Sequence, residues 1–383
     1  MKRYTIWLLI LTAVAIPNAC AEKPLAEKPL AAKANPLFET QDLFKSTRIP
    51  NIVVAADGSV LAFAKSGHML RRSEDSGKTW SKAVEVGSDA GGSAIVDENT
   101  GDVMMVNPRR GNLWRSSDHG KTWKRQEIKV KSNLLGHGSR EKVSASTGCS
   151  ESGITLRYGK HKGRLLMPAR IASPKGTNAQ EIWPYHYNTA IYSDDGGKTW
   201  QTSGPVQSGT GEGTLAELSS GNIYYNSRSH MSIDHRRRIA WSYDGGHMWT
   251  DWQVSEHLYE IGEPFYFKYG TKPSYGCNAG LVRMPLEATG GRDVLLFSTP
   301  DNPGGSRVRM TVWASFDRGK TWPVKRLIHE GLSAYSSLTA GGDGTIYLLF
   351  ERGEEKLYDR TAVAVFDLDW LAEGQDWRAL LGD

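Results

Sequence analysis

Five segments of this 383-residue chain repeat one pattern, Ser-x-Asp-x-Gly-x-x-Trp. They are Ser73–Trp80, Ser116–Trp123, Ser193–Trp200, Ser242–Trp249 and Ser315–Trp322. Each follows an apolar, strand-like run such as Thr189–Tyr192 or Met310–Trp313. The residue types suit a hairpin turn. Ser and Asp side chains bond the turn's own amides, Gly supplies a positive φ, and Trp opens the next strand and packs back over the turn. One copy would mean little, because Asp-Gly turns are common. Five copies in one chain imply a repeat architecture of short strands. The 13 Trp, 15 Tyr and 41 Gly agree with many strands joined by tight turns.

The rest of the composition mainly excludes. A net charge of +5 is spread along the chain and predicts neither a nucleic-acid nor a membrane-surface partner. The histidines are scattered, and neither H-E-x-x-H nor paired C-x-x-C occurs, so no metal and no cofactor is expected. Lys2 and Arg3 followed by the uncharged run Ile6–Ile16 read as a secretory signal over residues 1–21, too short to span a bilayer. Ala19-Cys20-Ala21 offers a cleavage site, and Cys20 is alternatively placed for a lipid anchor, although Pro17 and Asn18 fit a lipobox poorly. Export is therefore expected, to the periplasm, the medium or the outer surface. Residues 22–36 repeat EKPLA without aromatics and read as a linker; residues 37–383 form the folded unit, expected as a monomer. Downstream only Cys149 and Cys277 remain, and whether they pair is left open.

The five repeats resemble the Asp boxes of sialidases and related propellers. That resemblance implies an all-β, six-bladed β-propeller of four-stranded antiparallel blades with Asp-box hairpin turns away from the active site. Asp75 to Asp118 and Asp195 to Asp244 are spaced like adjacent blades of about 40–50 residues each; the longer gaps would hold long loops or a blade without a box.

Four further matches follow in order between Arg48 and about Gly353. Arg48-Ile49-Pro50 resembles the R-I-P motif, whose Arg belongs to a carboxylate-binding triad. Glu212-Gly-Thr-Leu-Ala-Glu217, followed by Asn226-Ser-Arg228, resembles the segment with a buried catalytic Glu and the second triad Arg. The spacing to Arg228 favours Glu212 over Glu217. Leu295–Pro300 followed by Arg307-Val-Arg309 resembles the third triad segment; Arg307 is preferred, with Arg309 two residues on as the competitor. Ser333-Ala-Tyr335-Ser-Ser-Leu338 and the strand ending in Glu351 resemble the nucleophile segment, with Tyr335 as nucleophile and Glu351 orienting Arg48. The chemistry is consistent. Three guanidiniums present paired donors to one carboxylate. A neutral Tyr avoids meeting a substrate carboxylate with like charge, and with a free pKa near 10 it needs a base, here Glu212.

The chain departs from that pattern at the acid. Sialidases place an Asp in a loop between the R-I-P strand and the first Asp box. Here the loop is shortened, and no Asp or Glu lies between Asp57, in a turn, and Glu74. His68 in the shortened loop and His137 in Leu134–Glu141 are the candidate replacements. The resemblance implies an exo-glycosidase releasing a terminal α-linked sialic or related ulosonic acid from acidic glycans. A non-catalytic propeller binding such glycans is the alternative, favoured by the missing Asp. A purely structural propeller explains the Asp boxes but not the ordered Arg, Glu, Arg, Arg, Tyr set. His230 and His235, flanking Arg236–Arg238, are expected on a solvated rim.

Overall fold

The computed structural model describes residues 35–45, 47–138, 146–149, 151–172, 186–231, 234–262 and 275–381, excluding the side chains of 146–149 and of 172. Residues 1–34, with the expected signal sequence and Cys20, lie outside the described residues. Among the described residues strands dominate, and the one α-helix is the single turn Leu368–Leu371. Among the described residues no helix is long and apolar enough to cross a membrane.

The strands form five antiparallel-based sheets in a propeller arrangement. Three have four strands in sequential order, starting at Asn51, Ser93 and Thr210. Two depart from the expected four-stranded blade. In the third sheet along the chain, Lys129–Lys131 adds in parallel at the outer edge beside Thr199–Thr202. At its inner edge, both Ser146–Cys149 and Ile154–Thr155 pair with Leu165–Ala172. The last sheet has seven strands because one strand, Val324–Ala340, serves two neighbours. Its first half pairs with Val308–Ser315, and its second half, from Ser333, pairs with Ile346–Arg352. Phe38–Lys45 returns from the start of the chain to pair with Arg360–Phe366, joining the two ends of the fold.

Each Asp box closes its turn as the residue types predict. In the first, Gly77 N donates to Ser73 Oγ at 2.9 Å, Thr79 N to Asp75 Oδ1 at 2.8 Å, and the Trp80 indole to Gly77 O at 3.0 Å. Gly77 sits at φ +84°, a conformation that disfavours any residue with a Cβ. The pattern recurs at Ser116, Ser193, Ser242 and Ser315. In the last two, the indoles of Trp249 and Trp322 find no acceptor among the described residues and pack in the apolar core.

Between sheets the core is apolar and layered. Met105, Val103 and Phe63 join the first two sheets, and Tyr225, Trp249 and Leu166 join the third and fourth. Residues such as Trp200 and Phe297 are almost wholly buried, each worth about 3–5 kcal/mol against truncation to Ala. This packing fixes the inner strands, whose ends carry the site.

Candidate active site

Glu212 lies on the inner strand Thr210–Glu217, at a β-bulge. Thr210 opposes Ser229 and Gly213 opposes Ser227, so three steps on one strand face two on the other. A bulge re-aims a side chain locally. Space is reserved around it, since a Cβ on Gly211 would sit 1.7 Å from His230 Nε2. Tyr335 stands at a second bulge: Ser333 opposes Arg352 while Ser336 opposes Phe350. The Tyr335 N–H, freed from the ladder, donates instead to Glu351 Oε2 at 3.1 Å.

These bulges bring the two side chains together. Tyr335 Oη donates to Glu212 Oε1 at 2.7 Å. Arg228 Nη1 donates to both members, at 2.9 Å to Glu212 Oε2 and 2.9 Å to Tyr335 Oη. Arg170 Nη1 lies 3.2 Å from Glu212 Oε1 and His230 Nε2 3.5 Å from Oε2. Burial alone would raise the Glu212 carboxyl, but Arg228, Arg170, His230 and the Tyr335 hydroxyl outweigh it and hold the group well below the usual range. Burial and the Glu212 charge push the Tyr335 hydroxyl up to about 12. The resting pair is thus a phenol donating to a carboxylate.

The other predicted residues surround Tyr335. Arg48 Nε donates to Glu351 Oε1 at 2.8 Å, and its guanidinium lies 4.7 Å from the Tyr335 ring centroid and 3.9 Å from that of Tyr358. Arg48 Nη2 is buried with no hydrogen-bond partner among the described residues. Burial pushes the Glu351 carboxyl up against the pull of Arg48. Arg307 donates to Tyr358 Oη at 2.9 Å and to Gly276 O at 3.2 Å, and its guanidinium lies 5.5 Å from the Tyr335 centroid. Arg228 Nε is anchored by Tyr275 O at 2.8 Å. Cys277, buried beside Tyr335, is a free cysteine whose thiol burial pushes up to about 11. The Cys149 side chain lies outside the described residues.

The competitors go elsewhere. Arg309 sits at φ +66° within a third bulge, exposed, and pairs with Glu330 at 2.5 Å. The bulge breaks the alternation that would have put it on the same side as Arg307. Glu217 accepts from Arg157 N at 2.6 Å and Tyr158 N at 3.1 Å. It lines a separate cavity of about 170 Å³ with Arg157, Arg283 and Ala340, at the far ends of the inner strands.

Neither candidate acid touches the Tyr335–Glu212 pair. His68 lies in the turn between Val60–Ala64 and Met69–Ser73, against Gly91, and burial with the charges of Arg110 and Lys65 lowers its pKa. His137 Nδ1 is engaged with Tyr187 Oη at 2.8 Å, and the two rings stack. Loop residues 139–145, including Arg140 and Glu141, lie outside the described residues.

The expected solvated rim is a correction. His230 is 1 % exposed against Glu212, and Arg237 is fully buried, bonded to Glu260 at 3.0 Å and Asn226 at 2.7 Å. Strand alternation takes Arg237 inward between Arg236, stacked on Tyr259, and Arg238, paired with Asp234. Arg170 and His186 also went unnoticed. Burial and the Arg170 charge lower the His186 pKa to about 4. Arg170 lies in Met167-Pro-Ala-Arg-Ile-Ala172, which reads as an ordinary strand and gives no signal of its own.

Residues 87–348 match the BNR repeat-like domain family. The chain is 30% identical over 412 residues to a sialidase of Micromonospora viridifaciens, covering 94% of this chain and 58% of that protein. It is 27% identical over 331 residues to a sialidase of Bacteroides fragilis, covering 74% of this chain and 53% of that protein. The chain thus spans between about half and three-fifths of these relatives. The microbial sialidase Hz136 shares the fold with TM-score 0.63 at 23% identity, covering 85% of this chain and 66% of that one. An intramolecular trans-sialidase of Ruminococcus gnavus does so with TM-score 0.61 at 14% identity, covering 86% and 96%. The chain belongs to the BNR repeat-like propeller family of these bacterial sialidases.

Proposed function

We propose that this chain is an exported, retaining exo-glycosidase that removes a terminal α-linked sialic acid or related ulosonic acid from glycans. The observation that carries the reading is the 2.7 Å bond from Tyr335 Oη to Glu212, with Arg228 donating to both. In the first step Glu212 takes the phenol proton as Tyr335 Oη attacks the anomeric carbon. The bond to the leaving oxygen breaks, and that oxygen takes a proton from solvent water. In the second step water attacks the same carbon and releases a proton to solvent, the Tyr335 bond breaks, and the proton held by Glu212 returns to the phenolate. Two inversions retain configuration.

The charges favour an anionic sugar. Among the described residues Arg48, Arg228, Arg307 and Arg170 outnumber the carboxylates that act on them, Glu212, Glu351 and Glu260, and Glu260 is itself bonded to Arg237, leaving the pocket positive. The free Nη2 of Arg48 offers a donor to a carboxylate. We read the chain as a signal at residues 1–21, a linker at 22–36 and one catalytic propeller from 37 to 383, acting as a monomer. Dividing the seven-stranded sheet at Ser333, where its shared strand changes partner, supports a count of six blades.

A second reading, a non-catalytic binder of acidic glycans, is favoured by the missing acid. Besides Glu212 and Glu351, no carboxylate among the described residues bonds Tyr335 or the three arginines. Proton NMR of aryl α-sialoside cleavage decides between them. The α-anomer forming first supports the retaining enzyme, and binding without turnover supports the binder.

A further inference from the structure

Beneath the site lies a carboxyl that the mechanism does not use. Glu151 is 1 % exposed, and its Oε1 accepts from Asn51 Nδ2 at 3.1 Å, Ser152 N at 2.9 Å and Ser337 Oγ. Asn51 opens the strand that follows Arg48, and Ser337 stands two residues beyond Tyr335 on its strand. The same neighbours are cross-tied. Ile52 N donates to Ser337 Oγ at 3.0 Å, Ser152 Oγ to Ile52 O at 3.2 Å, and Ala94 N to Asn51 Oδ1 at 2.8 Å. One carboxyl oxygen therefore joins the inner strands that carry Arg48 and Tyr335 to the third sheet, and through Asn51 to the second.

Among the described residues the groups that bond Glu151 are uncharged: Asn51 from the first sheet, Ser337 from the shared strand, and Ser152 beside it in sequence. Glu151 Oε2 is buried without a hydrogen-bond partner among the described residues. An ionised carboxylate there would have neither countercharge nor solvent for that oxygen. Burial pushes the group up to about 8.

We propose that Glu151 is a positioning residue: it fixes the Tyr335 strand against the Arg48 strand, so that the phenol meets both Glu212 and the substrate. The activity arm of its test rests on the proposed function. Gln at this position keeps the accepting oxygen and has no proton to lose, whereas Ala removes the tie. The sign of the pH effect follows from a carboxyl held higher in the folded chain than in the unfolded one. Stability falls as pH rises from the unfolded value near 4.3 to about 8, and not beyond.

The experiment compares the full chain with Glu151→Gln and Glu151→Ala. It measures kcat and KM on an aryl α-sialoside, the thermal midpoint from pH 5 to 8, and the crystal structures. The Gln variant is expected to keep kcat within about twofold at pH 6, with a midpoint that does not share the wild-type fall toward pH 8. The Ala variant, at a temperature where it is folded, is expected to lose about tenfold or more in kcat, with the Tyr335–Glu212 bond lengthened. If it does not fold, Ser337→Ala must show a kcat loss in the same direction. A Gln variant as slow as the Ala variant would overturn the proposal in favour of proton transfer by Glu151. An Ala variant with wild-type kcat and an intact Tyr335–Glu212 bond would overturn it as well. Should the wild type not cleave sialosides, the function reading fails alone, and the midpoints and crystal structures still decide the role of Glu151.

Discussion

Tyr335 and Glu212 are 123 positions apart in the chain, yet each sits on a β-bulge of an inner strand, and their side chains meet at 2.7 Å. A regular ladder would turn these side chains according to the simple alternation of the strand. The extra residue in each strand re-aims one side chain while the flanking residues keep their places in the core. The Tyr335 bulge also releases the N–H that binds Glu351, which in turn holds Arg48. Tyr335 and Arg48 are therefore placed by the same irregularity.

Because the pair acts as one unit, Tyr335→Phe and Glu212→Gln are each expected to lower kcat by about 10³-fold or more on an aryl sialoside. The double variant should be little worse than either single one. Steady-state kinetics on the three proteins checks this, with circular dichroism confirming the fold.

Arg307 and Arg309 should separate cleanly. Arg307→Ala removes a buried guanidinium proposed to donate to the substrate carboxylate and is expected to lower kcat/KM by about 10²-fold, or roughly 3 kcal/mol. Arg309→Ala loses an exposed pair with Glu330, worth about 0–1 kcal/mol to stability, and should leave kcat/KM near wild type. Initial-rate measurements on both variants decide.

The pH profile has a definite sign. Glu212 must be ionised to accept the phenol proton, and its folded pKa is held well below the ordinary carboxylate value. The acid limb of kcat/KM that belongs to Glu212 therefore lies below pH 4.5. Its contribution to stability is present above the unfolded carboxyl pKa and is lost as pH falls through the folded value. Tyr335 stays neutral across the physiological range, since its hydroxyl is pushed up to about 12. Rates and thermal midpoints collected from pH 3 to 9 on wild type and Glu212→Gln test both statements.

With the usual Asp absent from the shortened loop and neither His68 nor His137 touching the Tyr335–Glu212 pair, cleavage should depend on the leaving group. Protonation by a positioned acid is worth about 10²–10⁴-fold for a sugar leaving group and little for an activated phenol. Aryl sialosides should be cleaved well and sialyl-lactose far more slowly. His68→Ala should leave the ratio unchanged, because His68 packs against Gly91 and touches neither Tyr335 nor Glu212. A loss confined to sialyl-lactose in that variant would make His68 the acid.

Much of this site was legible because each motif is local. The Asp boxes state their own hydrogen bonds, and Arg48, Arg228, Tyr335 and Glu351 each sit in short segments with a family signature. What stayed hidden depends on partners far along the chain. His230 is buried because Glu212 and Arg170 surround it, and Glu151 is buried because Asn51 and Ser337 close over it. Near Arg307 and Arg309 the sequence offered strand alternation, which a bulge overrides. The sharing of Val324–Ala340 between two neighbours is equally hidden, since its interruption at Gly331 reads as a local bulge rather than a change of partner.

The central claim is that Tyr335 becomes covalently bonded to the sugar, and trapping tests it most directly. A sialosyl fluoride with a second fluorine at C3 carries a good leaving group, while the added fluorine slows the second step. After incubation, intact-mass spectrometry followed by peptide mapping reads where the sugar resides. One sugar per chain is expected, on the peptide containing Tyr335, and none on Tyr335→Phe. An adduct on another residue, or rapid turnover yielding the inverted anomer without any adduct, would contradict it.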